Sequence, residues 1–316
     1  MSGADVLAAQ GVLKSVDGGG PIPDRHRRRF HRRTTSPKGS PLSIRSQLHA
    51  MWGVPHWIWT HPANEGHRIR SLLRGADFQF RGRVLRRPMK VPVGRTGVLE
   101  ANLHSSGGSK AVYANPPDWP EMIIWQQRLR KGDLFVDVGA NVGVYSLWAG
   151  DLGAEVIALE PNPVAAARLR RNAELSGMSI EIIEAAASSE SGTASFDPTG
   201  DTTGHLGEGS LLVRTVTIDE VIGDRIVAGM KVDVEGFERL VLEGATRALA
   251  EKRIRCIQLE WNSASVRVLG EDREPVAALL RETGYALHHP DQDAALHVLP
   301  TAGFGADVFA LPIDDR

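Results

Sequence analysis

From Gly132 onward, apolar residues come in short unbroken runs rather than scattered along the chain. The runs are Leu134–Val138, Glu155–Leu159, Ile180–Ile183, Met230–Val234 and Ile254–Trp261. Between most of them lie stretches with helical periodicity: Val142–Asp151, Pro163–Ser176, Phe237–Glu251 and Glu274–Thr283. Strands apolar on both faces, alternating with helices, predict an α/β fold whose mostly parallel sheet is covered on both sides. A final pair, Tyr285–His289 and Asp307–Leu311, is expected to close the sheet as a hairpin-like edge.

Upstream the pattern differs. Residues 1–45 are punctuated by Gly18–Gly20 and four prolines, and the Arg25–Arg33 cluster has little to bury, which predicts a disordered basic leader. Ile44–Thr60 carries Trp52, Trp57 and Trp59, and reads either as an interfacial anchor or as a segment packed on the main domain. Asn64–Arg87 is helix-like and basic. A β-like stretch then runs to about Ala114, broken at Ser105–Ser109. After the turn Asn115–Pro120 comes a short amphipathic helix, Glu121–Arg130. The expected organisation is a leader (1–45), an N-terminal extension (46–120) and an α/β domain (121–316).

Charge sharpens that division. The formal net charge is −1, yet residues 1–131 hold 22 Lys and Arg against 8 Asp and Glu, and the remainder holds 15 against 30. Such asymmetry points to two jobs. Cys256, the single cysteine, excludes an intramolecular disulfide or a cysteine zinc site, and reads as a small core hydrophobe. No run reaches the ~18–20 apolar residues of a membrane span, and no secretory signal pattern is present, so a cytoplasmic protein is expected.

The first strand runs into Asp137-Val138-Gly139-Ala140-Asn141-Val142-Gly143 and then a helix. Such a turn brings backbone and helix N–H groups close to a ligand. The dinucleotide fingerprint requires glycine at positions filled here by Asn141 and Val144, which disfavours NAD, and no Gly-Lys-Ser/Thr follows for a nucleoside triphosphate. A nucleoside ligand without phosphates relaxes those demands, and S-adenosylmethionine (SAM) is one. Its ammonium group would lie near Asp137. Glu160, 21 residues after Gly139, stands where an open α/β sheet offers an acid to ribose hydroxyls. The plainer reading is a helix-capping turn with an unrelated surface glutamate.

DVGANVG, EPNP (Glu160–Pro163) with Asn172 beyond it, AAASSESG (Ala185–Gly192), TIDEVI (Thr217–Ile222), KVDVEGFE (Lys231–Glu238) and LEGA (Leu242–Ala245) follow in order. Together they resemble the FkbM family of SAM-dependent methyltransferases over residues 120–312. The resemblance implies a class I, Rossmann-like fold with a mostly parallel seven-stranded sheet and an antiparallel edge strand. It implies that Asp137, Gly139, Asn141 and Gly143 line the methionine end of SAM, that Glu160 takes the ribose, and that Pro161 and Asn162 shape the adenosine side. Ala186 would sit beside adenine, with backbone or Ser188 replacing the aspartate common in such folds. Glu121 resembles an acid that precedes the glycine turn in the family and reaches cofactor or substrate; alternatively it is an exposed helix carboxylate.

Methyl transfer to a hydroxyl needs positioning and a proton acceptor. Asp233 and Glu235, two residues apart at the end of the fourth strand, and Glu260 at the end of the fifth, place three carboxylates on one rim. One of them could be the base, the group could hold a divalent cation, or Glu235 and Glu260 could cap a helix and order a loop. His205, in the Gly/Thr-rich loop Asp197–Ser210, is a further candidate base. His288 and His289 read as structural. No protein metal site is assigned.

The expectation is O-methylation of a small molecule, with the family's secondary metabolites and saccharides as the implied acceptors. RNA methylation, suggested by the basic front half, is disfavoured because the fourth strand offers DVEG in place of the Asn/Asp-Pro-Pro-aromatic tetrad of many base methyltransferases. A SAM-binding module without activity is the third reading.

Overall fold

The structure is a computed structural model that describes residues 53–103, 106–197, 205–206, 209, 211–299 and 305–313. The 1–45 leader and Trp52 lie outside the described residues. The described residues from Ile58 onward belong to one compact unit.

Helix α1 (Arg68–Phe80) runs into a π-helical turn, Arg81–Leu85, and then into a hairpin of β1 (Met89–Val93) and β2 (Gly97–Ala101). The expected β-like stretch to Ala114 stops there. Residues Ser106–Tyr113 form helix α2, because Lys110–Tyr113 turn an apolar face inward, burying Ala111 and Val112. Helix α3 (Glu121–Arg128) follows as expected. Next come β3 (Leu134–Val138), α4 (Val144–Asp151), β4 (Glu155–Leu159), α5 (Pro163–Ser176), β5 (Ile180–Ile183) and β6 (Ala186–Ala187).

Then β7 (Gly192–Asp197), β8 (His205–Leu206) and β9 (Leu211–Val216) precede α6 (Ile218–Ile222) and β10 (Gly229–Val232). Helices α7 (Glu238–Glu243) and α8 (Thr246–Ala250) lead to β11 (Ile257–Leu259). The chain ends through α9 (Ala264–Val268), α10 (Glu274–Glu282), β12 (Tyr285–Pro290), β13 (Leu296–Val298) and β14 (Val308–Pro312).

The large sheet has the order β13-β12-β14-β11-β10-β3-β4-β5. Strands β11, β10, β3, β4 and β5 are mutually parallel. Strand β14 enters antiparallel between β11 and β12, and β13 is an antiparallel edge beyond the expected seven strands. Strands β3, β10 and β11 are buried at every position and β4 at all but Glu155, whereas the edge strand β5 is only half-covered. Val136, Val138, Met230, Val232, Ile257 and Leu259 enter one core, and Phe135, Val156, Cys256 and Phe309 enter the other with Trp125, Leu147 and Trp148. This is why these strands read as solid apolar runs. Burial pushes the Cys256 thiol up to about 12, so it is inert packing.

Two local features depart from the sequence reading. The expected helix Phe237–Glu251 breaks at Gly244, where a Cβ would lie 2.1 Å from the Ser188 carbonyl oxygen, so α7 and α8 are separate. The segment taken as loop after Asp197 belongs in part to a second sheet, of order β6-β9-β7-β8. Leu211–Val216 alternates buried and exposed positions as a half-covered strand must, a short pattern hidden in Thr/Gly-rich sequence.

The N-terminal hairpin is tied to the helix beyond the glycine turn. Asn172 on α5 accepts from the Glu100 N–H at 2.9 Å and donates to the Val142 carbonyl at 2.8 Å. One buried amide thus joins β2, α5 and the turn.

Candidate active site

The turn after β3 is shaped by packing as well as by any ligand. Gly139 has φ +78°, and a Cβ there would fall 1.9 Å from the Asp233 carbonyl oxygen. Gly143 has φ +90°, and its Cβ would strike the Leu169 side chain at 2.1 Å. Asn141 also adopts positive φ, at 51°, a conformation asparagine tolerates better than most residues. Asp137 is 1% exposed. Its Oδ2 accepts from the Ser146 hydroxyl at 2.6 Å, while Oδ1 is buried with no hydrogen-bond partner among the described residues. Burial raises its pKa, opposed by the Lys231 charge. A buried acceptor without a donor, beside backbone held open by two glycines, fits an ammonium-bearing ligand.

Glu160, at the end of β4, faces this turn. It accepts from the Asn141 N–H at 2.7 Å through one oxygen and from the Asn162 N–H at 2.8 Å through the other. Each carboxylate oxygen keeps a second lone pair for ribose hydroxyls. Burial pushes its pKa up to about 7, against the two N–H groups that hold the ionised form. Asn162 caps α5, accepting from the Val164 N–H at 2.9 Å, and Pro161 links it to Glu160. Pro161 and Asn162 therefore fix the acid and the helix start.

Asp233 sits directly beyond β10, where its N–H donates to the Val138 carbonyl at 3.0 Å. The rim acids and the glycine turn are thus adjacent. The Lys231 ammonium, 5% exposed, donates to Asp233 Oδ2 at 2.8 Å and lies 4.6 Å from the centroid of the Tyr145 ring. Burial raises the Asp233 pKa, but Lys231, with Lys110 and a hydrogen bond from Glu260, outweighs it and holds the carboxyl below its ordinary value. Glu260 is the opposite case. Burial first, then the charges of Asp233 and Glu235, push it up to about 10, so near neutrality it is protonated and hydrogen-bonded to Asp233. Glu235 occupies a left-handed position at φ 52°. Asp233, Glu235 and Glu260 present ligating atoms within 4.8 Å of one another, the one such group among the described residues.

This rim is clamped from below. Glu238 and Arg273, both 0% exposed, form an ion pair of 2.5 Å. Glu238 also accepts from the Gly236 N–H at 3.0 Å, and Arg273 donates to the Asn262 carbonyl at 2.9 Å. The pair ties the turn bearing Glu235 to the turn that follows Glu260.

A polar row that the sequence reading missed crosses the sheet below. Asp137, Lys231 and Gln258 are register partners on β3, β10 and β11. Gln258, 0% exposed, accepts from the Trp125 indole at 2.5 Å and donates to the Tyr145 hydroxyl at 3.1 Å and to Asp307 at 2.7 Å. Burial pushes the Asp307 pKa up to about 6. Glu121, pushed up to about 7 by burial and then by Asp307, belongs to this acidic side with Asp118 and Lys110. The signal available in sequence was a lone Lys or Gln inside an otherwise apolar strand run.

The remaining candidates lie in or beside the small sheet and on β12. Ala186 packs with Phe196 and Val213 in the core of the small sheet, and the Ser188 N–H donates to the Val216 carbonyl at 2.9 Å. His205 lies on β8, paired with Asp197 at the edge of that sheet. His288, half-buried, and His289, exposed, lie on β12.

The strand order β5-β4-β3-β10-β11-β14-β12, with β14 reversed, is that of class I SAM-dependent methyltransferases. The chain belongs to the FkbM methyltransferase family. Residues 137–287 match the "Methyltransferase FkbM domain". The chain is 31% identical over 163 residues to hexuronic acid methyltransferase AglP of Haloferax volcanii, covering 49% of this chain and 64% of that one. It is 30% identical over 200 residues to 31-O-demethyl-FK506 methyltransferase FkbM of Streptomyces tacrolimicus, covering 50% of this chain and 75% of that one. The chain thus spans slightly less than two thirds of the haloarchaeal protein. Among solved structures, magnesium protoporphyrin IX methyltransferase of Synechocystis PCC 6803 aligns with TM-score 0.38 at 13% identity, covering 61% of this chain and 77% of that one. A SAM-dependent O-methyltransferase of Thermotoga maritima aligns with TM-score 0.37 at 14% identity, covering 63% and 67%. No helix among the described residues is long and apolar enough to cross a membrane.

Proposed function

We propose that this chain transfers the methyl group of SAM to a hydroxyl oxygen of a small molecule, a saccharide or secondary metabolite. The observation that carries the reading is Asp233, ionised beside the Lys231 ammonium and hydrogen-bonded to the glycine turn. SAM, when bound, supplies an electrophilic methyl on a sulfonium. The unpartnered oxygen of Asp137 is suited to its ammonium group and Glu160 to its ribose.

Asp233 is the base in this reading. An alcohol oxygen becomes strongly acidic as it acquires a methyl group, so a carboxylate of low pKa suffices if it is close and ionised. Lys231 keeps it ionised. Protonated Glu260 is a donor that orients Asp233 or the acceptor, and Glu235 and Asp307 are the further groups placed to bind acceptor hydroxyls. The name of the Streptomyces relative refers to an oxygen, and that of the haloarchaeal one to a hexuronic acid. Both support a hydroxyl-rich acceptor.

Incubation with methyl-labelled SAM and extract fractions tests the proposal. Label in an alkali-stable ether of a small molecule supports it; label in RNA, protein or an alkali-labile ester contradicts it. A second reading, a divalent cation on Asp233, Glu235 and Glu260, is favoured by the spacing of those three acids. It predicts loss of transfer in EDTA and rescue by Mg²⁺, whereas the base reading predicts neither.

A further inference from the structure

Helix α1 and its π-helical extension bury one face and leave the opposite one apolar. Ser71, Gly75 and Phe78 turn inward. On the other side Ile69 is 68% exposed, Leu73 67%, Phe80 54% and Val84 63%. Ala76 is exposed between them. Positions 69, 73, 76, 80 and 84 recur at helical spacing, forming one stripe about 24 Å long at 1.5 Å per residue. An outward helix face in water is ordinarily polar, so this row is an exception that calls for a partner.

The stripe is flanked by positive charge. Arg70 and Arg81 border one side, with half-buried Arg74 behind them, and Arg83 borders the other; Arg86, Arg87 and Lys90 follow at its end. Between residues 65 and 90 only Glu65 and Asp77 are acidic, and Asp77 is paired with Arg81 at 2.8 Å. Arg74, with Arg70 as its like-charged neighbour, has its pKa lowered by burial and then by that charge. The chain's own residues 1–52 are rich in arginine themselves, so charge disfavours them as the cover.

We infer that the outer face of residues 68–87 is a docking surface for an anionic lipid bilayer. An apolar row with arginines along one long side, Arg83 on the other and Arg86, Arg87 and Lys90 at its end matches a layered surface, with acyl chains below and phosphates at the level of the guanidinium groups. A folded protein partner would need a groove of the same length and pattern. Transfer to an acceptor presented at a membrane would follow from such docking, but the inference does not depend on the methyltransferase reading.

Vesicle sedimentation of the full chain tests it. Vesicles of phosphatidylglycerol and phosphatidylcholine are compared with phosphatidylcholine alone at low salt. The wild type is expected to sediment with the anionic vesicles and not with the neutral ones. The double variant Leu73→Ser/Phe80→Ser, which keeps every arginine and the basic leader, is expected to bind at least tenfold more weakly. Both side chains are exposed, so the variant keeps its fold, and an unchanged circular dichroism spectrum checks this. A wild type that ignores anionic vesicles, or a variant that binds equally well, overturns the inference. So does a wild-type dimer in light scattering that the variant dissociates, since a second copy would then be the occupant.

Discussion

The Lys231 ammonium donates to Asp233 Oδ2 at 2.8 Å while lying over the Tyr145 ring, and its charge helps keep the Asp233 carboxyl ionised among several acids. Removing it leaves Asp233, Glu260 and Asp307 to share protons. Lys231→Met is therefore expected to lower kcat by about 100-fold to 1,000-fold with a much smaller change in KM for SAM. The acidic limb of the kcat profile should move to higher pH, because the Asp233 pKa rises. A purely structural lysine would lower thermal stability without moving that limb.

Glu160 carries a pKa of about 7, raised by burial. Its sign in stability is unfavourable: the folded state prefers the protonated acid, so the contribution to stability falls as pH rises from the unfolded value near 4.5 through 7. In the proposed reading cofactor binding runs the other way, since ribose hydroxyls would donate to the ionised form. SAM affinity measured by calorimetry should rise between pH 6 and 8, and Glu160→Gln should flatten that rise. A slope retained in the variant would assign it to Glu121 or Asp307, which titrate nearby.

The Glu238–Arg273 pair is fully buried and holds the two rim turns together. Breaking it from one side leaves an uncompensated charge. Arg273→Met should destabilise the fold by about 3–5 kcal/mol in chemical denaturation. Replacing both partners with apolar residues should recover part of that loss but not activity, because the Gly236 N–H loses its acceptor.

Asp307 was not among the candidates drawn from the sequence, yet it faces the same acidic site through Gln258. Asp307→Asn preserves the hydrogen bond to Gln258 while removing charge. The expected outcome is a raised KM for the acceptor with SAM binding changed less than twofold. Weakened SAM binding alone would place Asp307 on the cofactor side instead.

The central parallel strands were legible because β3, β10 and β11 are buried on both faces, and the glycine turn because positive φ and close packing leave few alternatives to glycine. The acids Asp137, Glu160, Asp233 and Glu260 were legible as polar residues ending apolar runs. Other parts were not. The small sheet hides in short strands of mixed polarity, and β14 enters the sheet by a tertiary choice that no local pattern states. The polar row of Asp137, Lys231 and Gln258 depends on register between strands up to 121 residues apart. The Glu238–Arg273 clamp likewise joins residues 35 apart that no motif links. What lined the rim could be read, but not what fixes its charge.

Calorimetry with SAM tests the central claim most directly. The folded wild type should bind one equivalent, and Asp137→Ala and Glu160→Ala should each weaken binding at least tenfold, about 1.4 kcal/mol, while retaining a cooperative thermal transition. A folded wild type that shows no binding, or variants that bind as tightly as wild type, would contradict it.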